Sequence, residues 1–593
     1  MPSPSAKKPI IPAAGPSDFR EYIDNGFFYV DKTGYLKPLF LGTNPRTLIL
    51  RPRRFGKTML MSALRYFLEM DYKNPGDASE QHLLFKGLKV IEDQEFCKRC
   101  MGQYPVISLS FKDVEGGDYE EAYAMLADLI FELVSGFDWL LESKKLKPWE
   151  KRDLEMLLDY PALRKPENQD YIKRSLKVLS SLLYKHTGKL PVLLADEYDV
   201  PLQKAALGGY YKKMIKVIRG MLAAVVKDNP KVCKVIMTGC LRASKESIFT
   251  GMNNVTVNSV LTQNNILAPA FGFTAQETHE MLKRVGLAGL YDKAQKWYDG
   301  YSIDKQEIFC PWDVASYVYA ITQPGPDKPE AIEPQSYWND TGDSRIITEF
   351  LPDLSAEDAD RMQELLDGKD VKLQVSESLS YKEFDQHLSE HFWSILVFTG
   401  YLTLAKRGSG GVHEFRIPNA EIRQCFRANI LAYYRPNEHG RFSGKANAVV
   451  KALLTGDSGS IAGPLNELLR GFVSVRDSAT RAPKENFYQG FMDGLFAAAG
   501  GNLICDYSSN RESGDGYADV TFKSFDENTG VVIELKLAAK DQARKKLSEE
   551  ALSQIVAKGY TSKLRDDGVA RIFAYGIAFC KRQCTVSFQE IPG

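Results

Sequence analysis

A short, β-rich apolar run with no polar alternation can serve as a strand only where both faces of its sheet are covered. Four such runs lie in the first half of this chain: TLIL at 47–50, PVISLSF at 105–111, PVLLA at 191–195 and KVIMTG at 234–239. Long amphipathic stretches, such as 119–137 and 170–186, separate them. Buried strands alternating with helices specify an α/β class, with a parallel sheet and helices on both faces. After about Phe271 the pattern changes to short helical segments and the Pro-rich stretch TQPGPDKPEAIEP. Residues 340–477 read as mostly helical, with a hairpin at 401–417. The last hundred or so residues alternate strands near Leu503, Ala518 and Val531 with a helix at 485–499, a charged helix at 541–558 and a strand at 570–579.

At 593 residues the chain is too long for one ordinary domain. The expected organisation is a flexible tail at 1–16 (not a signal peptide), an α/β domain at 17–270, a helical lid and linker at 271–340, a mostly helical region at 341–480 and an α/β domain at 481–593. The formal net charge is +0, so no global basic field draws the chain to nucleic acid, and any such contact must come from a local groove. No apolar stretch is long enough to span a bilayer. The nine cysteines are odd in number and scattered, which fits a reduced intracellular protein, cytoplasmic or nuclear.

The first apolar run leads into Arg51-Pro-Arg-Arg-Phe-Gly-Lys-Thr58 and then the helical run MLMSALRYFLEM. Strand, loop, then helix is the context of a phosphate-binding P-loop, in which backbone N–H groups and a helix N-terminus face the phosphates. Arg53, Arg54, Phe55, Gly56, Lys57, Thr58 and Met59 are the candidate nucleotide contacts. Lys57 would reach the β- and γ-phosphates of ATP, and the Thr58 hydroxyl would hold Mg²⁺. Arg51 stands where the first glycine of the consensus falls. The third run ends in Asp196-Glu197, at the carboxyl end of a strand, where ligands gather in open α/β sheets. Asp196 would bind Mg²⁺ through waters, and Glu197 would deprotonate the attacking water. The alternative is a pair of acids favouring a helix N-terminus. Thr238, at the end of the fourth run, would sense the γ-phosphate. Arg242 would neutralise developing charge in its own subunit or a neighbour's, which is compatible with a homo-oligomer, or it is a surface ion pair.

The segments FFYVDKTGYLKPL, LILRPRRFGKTMLMSAL, LLADEYDVPL and MTGCLRASKESIFTGMNNV resemble the AAA-ATPase-like family, whose members often end in a PD-(D/E)XK nuclease-like domain. The resemblance implies an arginine-rich P-loop without the first glycine. It also implies that Asp31, Lys32, Asn253 and Asn254 lie near the nucleotide, although each could be turn or capping chemistry.

Near the C-terminus, Tyr517-Ala-Asp519-Val-Thr-Phe, the turn FDENTG and Val532-Ile-Glu534-Leu-Lys536 read as a hairpin. Glu534 and Lys536 are two apart and share a sheet face. Setting Phe525 opposite Gly530 places Asp519 on that face too, whereas a one-residue slip removes it. Two carboxylates and a lysine suit metal-dependent phosphodiester cleavage: Asp519 and Glu534 would hold Mg²⁺, and Lys536 would position water or stabilise charge. Asp followed by Glu-x-Lys resembles the PD-(D/E)XK pattern, and by that resemblance Glu485 is the superfamily's extra acid while Gln554 and Tyr560 form its distal helix motif. Tyr517 stands where an arginine is common. An exposed structural hairpin is the competing reading.

Cys97-x-x-Cys100 lacks a second ligand pair for zinc, and His387 and His391 lack the intervening glutamate of a zinc protease. The expectation is therefore an ATP-hydrolysing protein coupled to a Mg²⁺-dependent nuclease-like domain acting on nucleic acid, DNA favoured. The alternative is an ATP-driven switch whose C-terminal domain binds nucleic acid or a protein without cleaving.

Overall fold

The computed structural model describes residues 16–592 apart from 228, 243–254, 324–331, 339–355, 367, 378–388, 434–440, 473–487, 490, 493–494, 497–502, 514–515 and 527. The chain divides into two compact units: Met1–Asp353 with Glu364–Cys425, and Leu354–Gln363 with Phe426–Gly593.

The first unit is built on a sheet of β1 (Arg46–Leu50), β2 (Val106–Ser110), β3 (Val192–Asp196), β4 (Lys234–Gly239) and β5 (Thr256–Asn258). The order is β2-β3-β4-β1-β5, and every pair is parallel. Strands β1, β3 and β4 are buried at every residue, which is why their sequences do not alternate. Four strands coincide with the four apolar runs. The edge strand β5 is three residues long and only partly buried, so it left no apolar signal.

Helices Lys57–Leu68, Tyr119–Ser135, Gln169–Thr187 and Tyr211–Val226 flank the sheet. In Gln169–Thr187 the buried residues Ile172, Leu176, Leu179 and Leu183 recur every three or four positions, one apolar stripe turned inward. Each such side chain contributes about 1.5–3 kcal/mol on full burial. Gly188 ends this helix in the left-handed region (φ 74°) and donates its N–H to Tyr184 O.

Two antiparallel sheets follow in the first unit. Strands β6 (Phe273–Thr274), β7 (Tyr301–Ile303) and β8 (Gln306–Phe309) have the order β6-β8-β7. Strands β9 (Val371–Gln374), β10 (Thr403–Lys406) and β11 (Val412–Arg416) have the order β10-β11-β9. The β10–β11 pair is the hairpin expected at 401–417; β9, four residues within a helical region, was not anticipated.

The second unit carries β12 (Ile504–Ser513), β13 (Gly516–Ser524), β14 (Thr529–Leu537), β15 (Arg571–Cys580) and β16 (Gln583–Pro592), in sequential order. Only β14 and β15 are parallel, joined through helix Arg544–Ala557. Val531, Ile533 and Leu535 pack into one core with Val449, Leu453, Leu465 and Leu469, from helices Arg441–Thr455 and Ala462–Phe472. On the other face Val532, Ile572 and Ala574 pack against Ile555.

The β13–β14 register differs by two residues from the expected one. Gly530 pairs with Lys523 rather than Phe525, whose N–H instead bonds Leu503 O at 3.1 Å. Side chains tighten the turn: Thr529 N–H donates to Ser524 Oγ (3.0 Å) and Asn528 N–H to Asp526 Oδ1 (3.3 Å). A two-residue shift preserves the faces, so Asp519, Glu534 and Lys536 remain together. Among the described residues no helix is long and apolar enough to cross a membrane. All nine cysteines are free.

Candidate functional site

Strands β3, β4 and β1 are neighbours, and their carboxyl ends carry the first constellation. Thr58 Oγ1 donates to Asp196 Oδ2 at 2.6 Å. The other oxygen of Asp196 accepts the Thr238 hydroxyl, and Thr238 Oγ1 in turn accepts the Glu197 N–H at 3.3 Å. Asp199, buried behind them, accepts the N–H groups of Cys240 (2.9 Å) and Leu241 (2.8 Å), tying the segment after β3 to that after β4. Three separate sequence runs thus meet in one hydrogen-bonded chain.

The loop after β1 turns on Gly56 (φ 79°), the N-cap of the twelve-residue helix Lys57–Leu68. Lys57 is buried, and its Nζ donates to the loop's own carbonyls, Arg51 O at 3.0 Å and Pro52 O at 2.8 Å. Arg51, at the position of the missing glycine, is fully buried and stitches the loop to β5. It donates to Leu50 O (2.8 Å), Asn258 O (3.0 Å) and Asn258 Oδ1 (2.7 Å), and its guanidinium lies 5.2 Å from the Phe271 ring centroid. Burial pulls its pKa down to about 9, which still leaves it charged at neutral pH.

The remaining loop residues diverge. Arg53 reaches Gln203 Oε1 at 3.2 Å. Arg54 takes a left-handed φ of 67° and lays its guanidinium 3.8 Å from the Trp312 ring centroid. Phe55 is buried edge-on to Tyr301. Glu197 also has a positive φ, 53°, in a region that costs a non-glycine residue of order 1 kcal/mol or more and clusters at functional sites. Burial raises the Glu197 pKa, the nearby Lys57 charge opposes this and Asp196 adds to it. Arg242 is half-buried, with its Nε unpartnered among the described residues, and no described contact brings it to the loop.

A cavity of ≈ 340 Å³ opens beside the loop, lined by Arg54 to Leu60 and Glu197. This is within the usual range for small-molecule sites. Its far wall is aromatic and apolar: Tyr22, Phe28 and Tyr29 from the N-terminal segment, and Phe273, Met281 and Trp312 from the segment after β5. Lys32 lines it too, with Nζ held by Glu277 Oε2 (2.6 Å) and Pro269 O (2.8 Å). The Tyr29 hydroxyl is buried with no partner among the described residues. An orphaned donor in an aromatic cavity, next to a glycine-turned helix start and a buried lysine, fits a nucleotide. Asp31 instead caps Thr33, accepting its N–H at 2.8 Å, and does not line the cavity. Asn253 and Asn254 lie outside the described residues.

In the second unit Glu534 and Asp519 come together beside helix Arg544–Ala557. Asp519 Oδ2 accepts the Leu535 N–H at 2.7 Å. Glu534 Oε1 accepts from Gln554 Nε2 at 2.6 Å and is 3.4 Å from Lys536 Nζ. Gln554 Nε2 is also 3.2 Å from the Tyr560 hydroxyl. Burial, and then the Asp519 charge, push the Glu534 pKa up to about 7, against the pull of Lys536. Glu534 Oε2 is buried without a hydrogen-bond partner among the described residues. Two carboxylates, one of them with an orphaned buried oxygen, suit a hard divalent cation. Among the described residues no group of three or more His, Cys, Asp or Glu forms a metal cluster. Glu485 lies outside those residues, as does the Tyr517 side chain.

Comparison with known proteins agrees with both halves. Residues 13–249 match the family model described as a predicted AAA-ATPase, and residues 483–589 match that of the PD-(D/E)XK nuclease superfamily. The chain carries an AAA-ATPase-like domain and a C-terminal PD-(D/E)XK nuclease superfamily domain. The "Uncharacterized protein in vnfD 5'region" of Azotobacter chroococcum mcd 1 is 23% identical over 561 residues, covering 94% of this chain and 93% of that relative. No solved structure matches.

Sequence reasoning missed the aromatic wall of the cavity beside the loop. Its members are spread over 22–312, and no local period links them. The usable signal was the run FFYVDK, whose clustered aromatics precede a lysine.

Proposed function

We propose that the AAA-ATPase-like domain binds and hydrolyses ATP and that this turnover governs Mg²⁺-dependent cleavage of nucleic acid by the C-terminal domain. The observation that carries the first half is the hydrogen-bonded chain Thr58–Asp196–Thr238–Glu197 beside buried Lys57. In this reading Lys57 exchanges the loop carbonyls for phosphate oxygens, and the first N–H groups of helix Lys57–Leu68 face them. The aromatic wall takes the base, and the Tyr29 hydroxyl finds there the acceptor it lacks. Thr58 and Asp196 would hold Mg²⁺, which when bound offsets phosphate charge. Glu197, with its raised proton affinity, takes the proton from the water that attacks the γ-phosphorus, and Thr238 fixes the Glu197 backbone.

In the C-terminal domain Asp519 and Glu534 would hold a divalent cation, which supplies Lewis acidity for phosphodiester hydrolysis. Lys536 stabilises charge on the scissile phosphate. Gln554 orients Glu534, and Tyr560 orients Gln554.

The test is Glu197→Gln. The amide keeps the shape but cannot take the proton. ATP should still bind, while turnover falls by about 100-fold or more. Turnover at the wild-type rate would remove Glu197 as the base.

A further inference from the structure

The chain as a whole is neutral, with 76 basic and 76 acidic residues. The C-terminal domain offers no field of its own: residues 484–593 hold fourteen Lys and Arg against fifteen Asp and Glu. Positive charge is concentrated elsewhere. Helices Gln169–Thr187 and Tyr211–Val226 together hold eight Lys and Arg and one acid, Asp170.

Four of the eight are paired with acids: Lys173 with Asp170, Arg174 with Asp153, Lys185 with Glu150 and Lys213 with Glu120. The two helices lie side by side, and the stem of Lys173 crosses Gly220 of the neighbouring helix so closely that a Cβ there would fall 2.7 Å from Lys173 Cγ. Lys177 lies one turn beyond Lys173, and Lys216 one turn before Gly220. At the far end Asn229 Nδ2 bonds Ser180 Oγ at 3.2 Å, and Lys231 Nζ sits 4.3 Å from the Tyr184 ring centroid. Lys177, Lys212, Lys216 and Lys227 are exposed and have no ion pair among the described residues. From Lys212 to Lys227 the stripe runs roughly 22 Å at the helical rise.

Composition selects the partner. None of the exposed large apolar side chains of the described residues lies on either helix. A membrane-surface helix needs an apolar face to insert, a protein docking site needs buried aromatic or aliphatic anchors, and single-strand binding needs aromatic platforms. A lysine stripe without any of these suits a regular ladder of phosphates, contacted through charge alone.

We propose that this face of the AAA-ATPase-like domain binds duplex DNA through its backbone, without sequence preference. Only the choice of partner rests on the nuclease reading; binding is measurable without cleavage. The experiment uses the full-length protein, a fluorescent mixed-sequence duplex and EDTA, with anisotropy read across a sodium chloride series. Wild type should bind with a steep salt dependence. The quadruple variant Lys177→Gln, Lys212→Gln, Lys216→Gln, Lys227→Gln keeps helix propensity. It should bind at least tenfold more weakly, with a salt slope shallower by about 0.9 per lysine that met a phosphate. Its melting temperature and ATP turnover should be unchanged, and the matching quadruple arginine variant should retain binding. Asp519→Ala should bind the duplex like wild type, so a failure of the nuclease reading and a failure of this one give different results. Wild-type affinity in the glutamine variant, no duplex binding by wild type, or equal binding to polyglutamate would each overturn the proposal.

Discussion

Restoring the consensus glycine at position 51 should damage this protein rather than improve it. Arg51 is fully buried, and its guanidinium supplies hydrogens to Leu50 O, Asn258 O and Asn258 Oδ1. In Arg51→Gly, Asn258 Oδ1 keeps Asn265 Nδ2 at 3.0 Å, but the two backbone carbonyls lose the arginine. A buried polar group left unsatisfied costs about 1–3 kcal/mol, and glycine adds roughly 0.5–1 kcal/mol of chain entropy. Removing a buried charge recovers part of that through lost desolvation cost. The balance is a loss on the order of 2–4 kcal/mol, which lowers a melting temperature by about 5–10 °C in a domain of this size. The assay is thermal unfolding of wild type, Arg51→Gly and Arg51→Lys without nucleotide. Lysine keeps the charge but not the planar fork, so it should fall between the other two. A glycine variant as stable as wild type would show that Arg51 is not what ties the loop to β5.

Four shorter predictions follow from the same geometry. Lys57→Ala should abolish detectable ATP binding in a calorimetric titration; unchanged affinity would separate the loop from the nucleotide. Tyr29→Phe removes an orphaned buried hydroxyl, so the nucleotide-free protein should melt no lower than wild type while ATP affinity falls about fivefold, equivalent to one hydrogen bond of about 1 kcal/mol. A lower melting temperature with unchanged affinity would contradict this. The third concerns pH. Glu421 is buried beside Asp313, and its Oε1 accepts the N–H groups of Tyr337 (2.5 Å) and Trp338 (2.8 Å). Burial, then the Asp313 charge, raise its pKa well above the usual carboxylate range. A carboxyl raised on folding stabilises fully below its unfolded pKa and loses that contribution as pH climbs through the folded one. Wild type should therefore melt progressively lower from mildly acidic pH, just above the ordinary carboxylate pKa, up to the raised folded one, and Glu421→Gln should flatten that decline; parallel curves would refute it. Finally, Gln554→Ala should weaken cleavage while leaving ATP turnover intact, because it acts through Glu534.

The legible parts of the molecule were those where a local pattern carries the physics. Buried parallel strands write unbroken apolar runs, and β1, β3 and β4 appeared as such, while the edge strand β2 alternates at Ser108 and Ser110, its two half-buried positions. A glycine before Lys57 and Thr58 announced the loop, and two-residue spacing put Glu534 and Lys536 on one face. The illegible parts depend on long-range packing. Strand β5 is too short and exposed to show a pattern, yet it receives Arg51. The aromatic cavity joins Tyr29 to Trp312, far apart in the sequence. The β13–β14 register depends on Ser524 and Asp526 tightening a turn, a choice between loop lengths that alternation alone cannot make.

The most direct test of the account is cleavage of duplex and single-stranded DNA and RNA with Mg²⁺ or Mn²⁺, with and without ATP, by wild type and Asp519→Ala. The account predicts that wild type cuts in the presence of the metal, that ATP changes the rate, and that Asp519→Ala hydrolyses ATP normally but cuts nothing. A wild type that cuts no substrate under any of these conditions, or an Asp519→Ala variant that cuts as well as wild type, would contradict it.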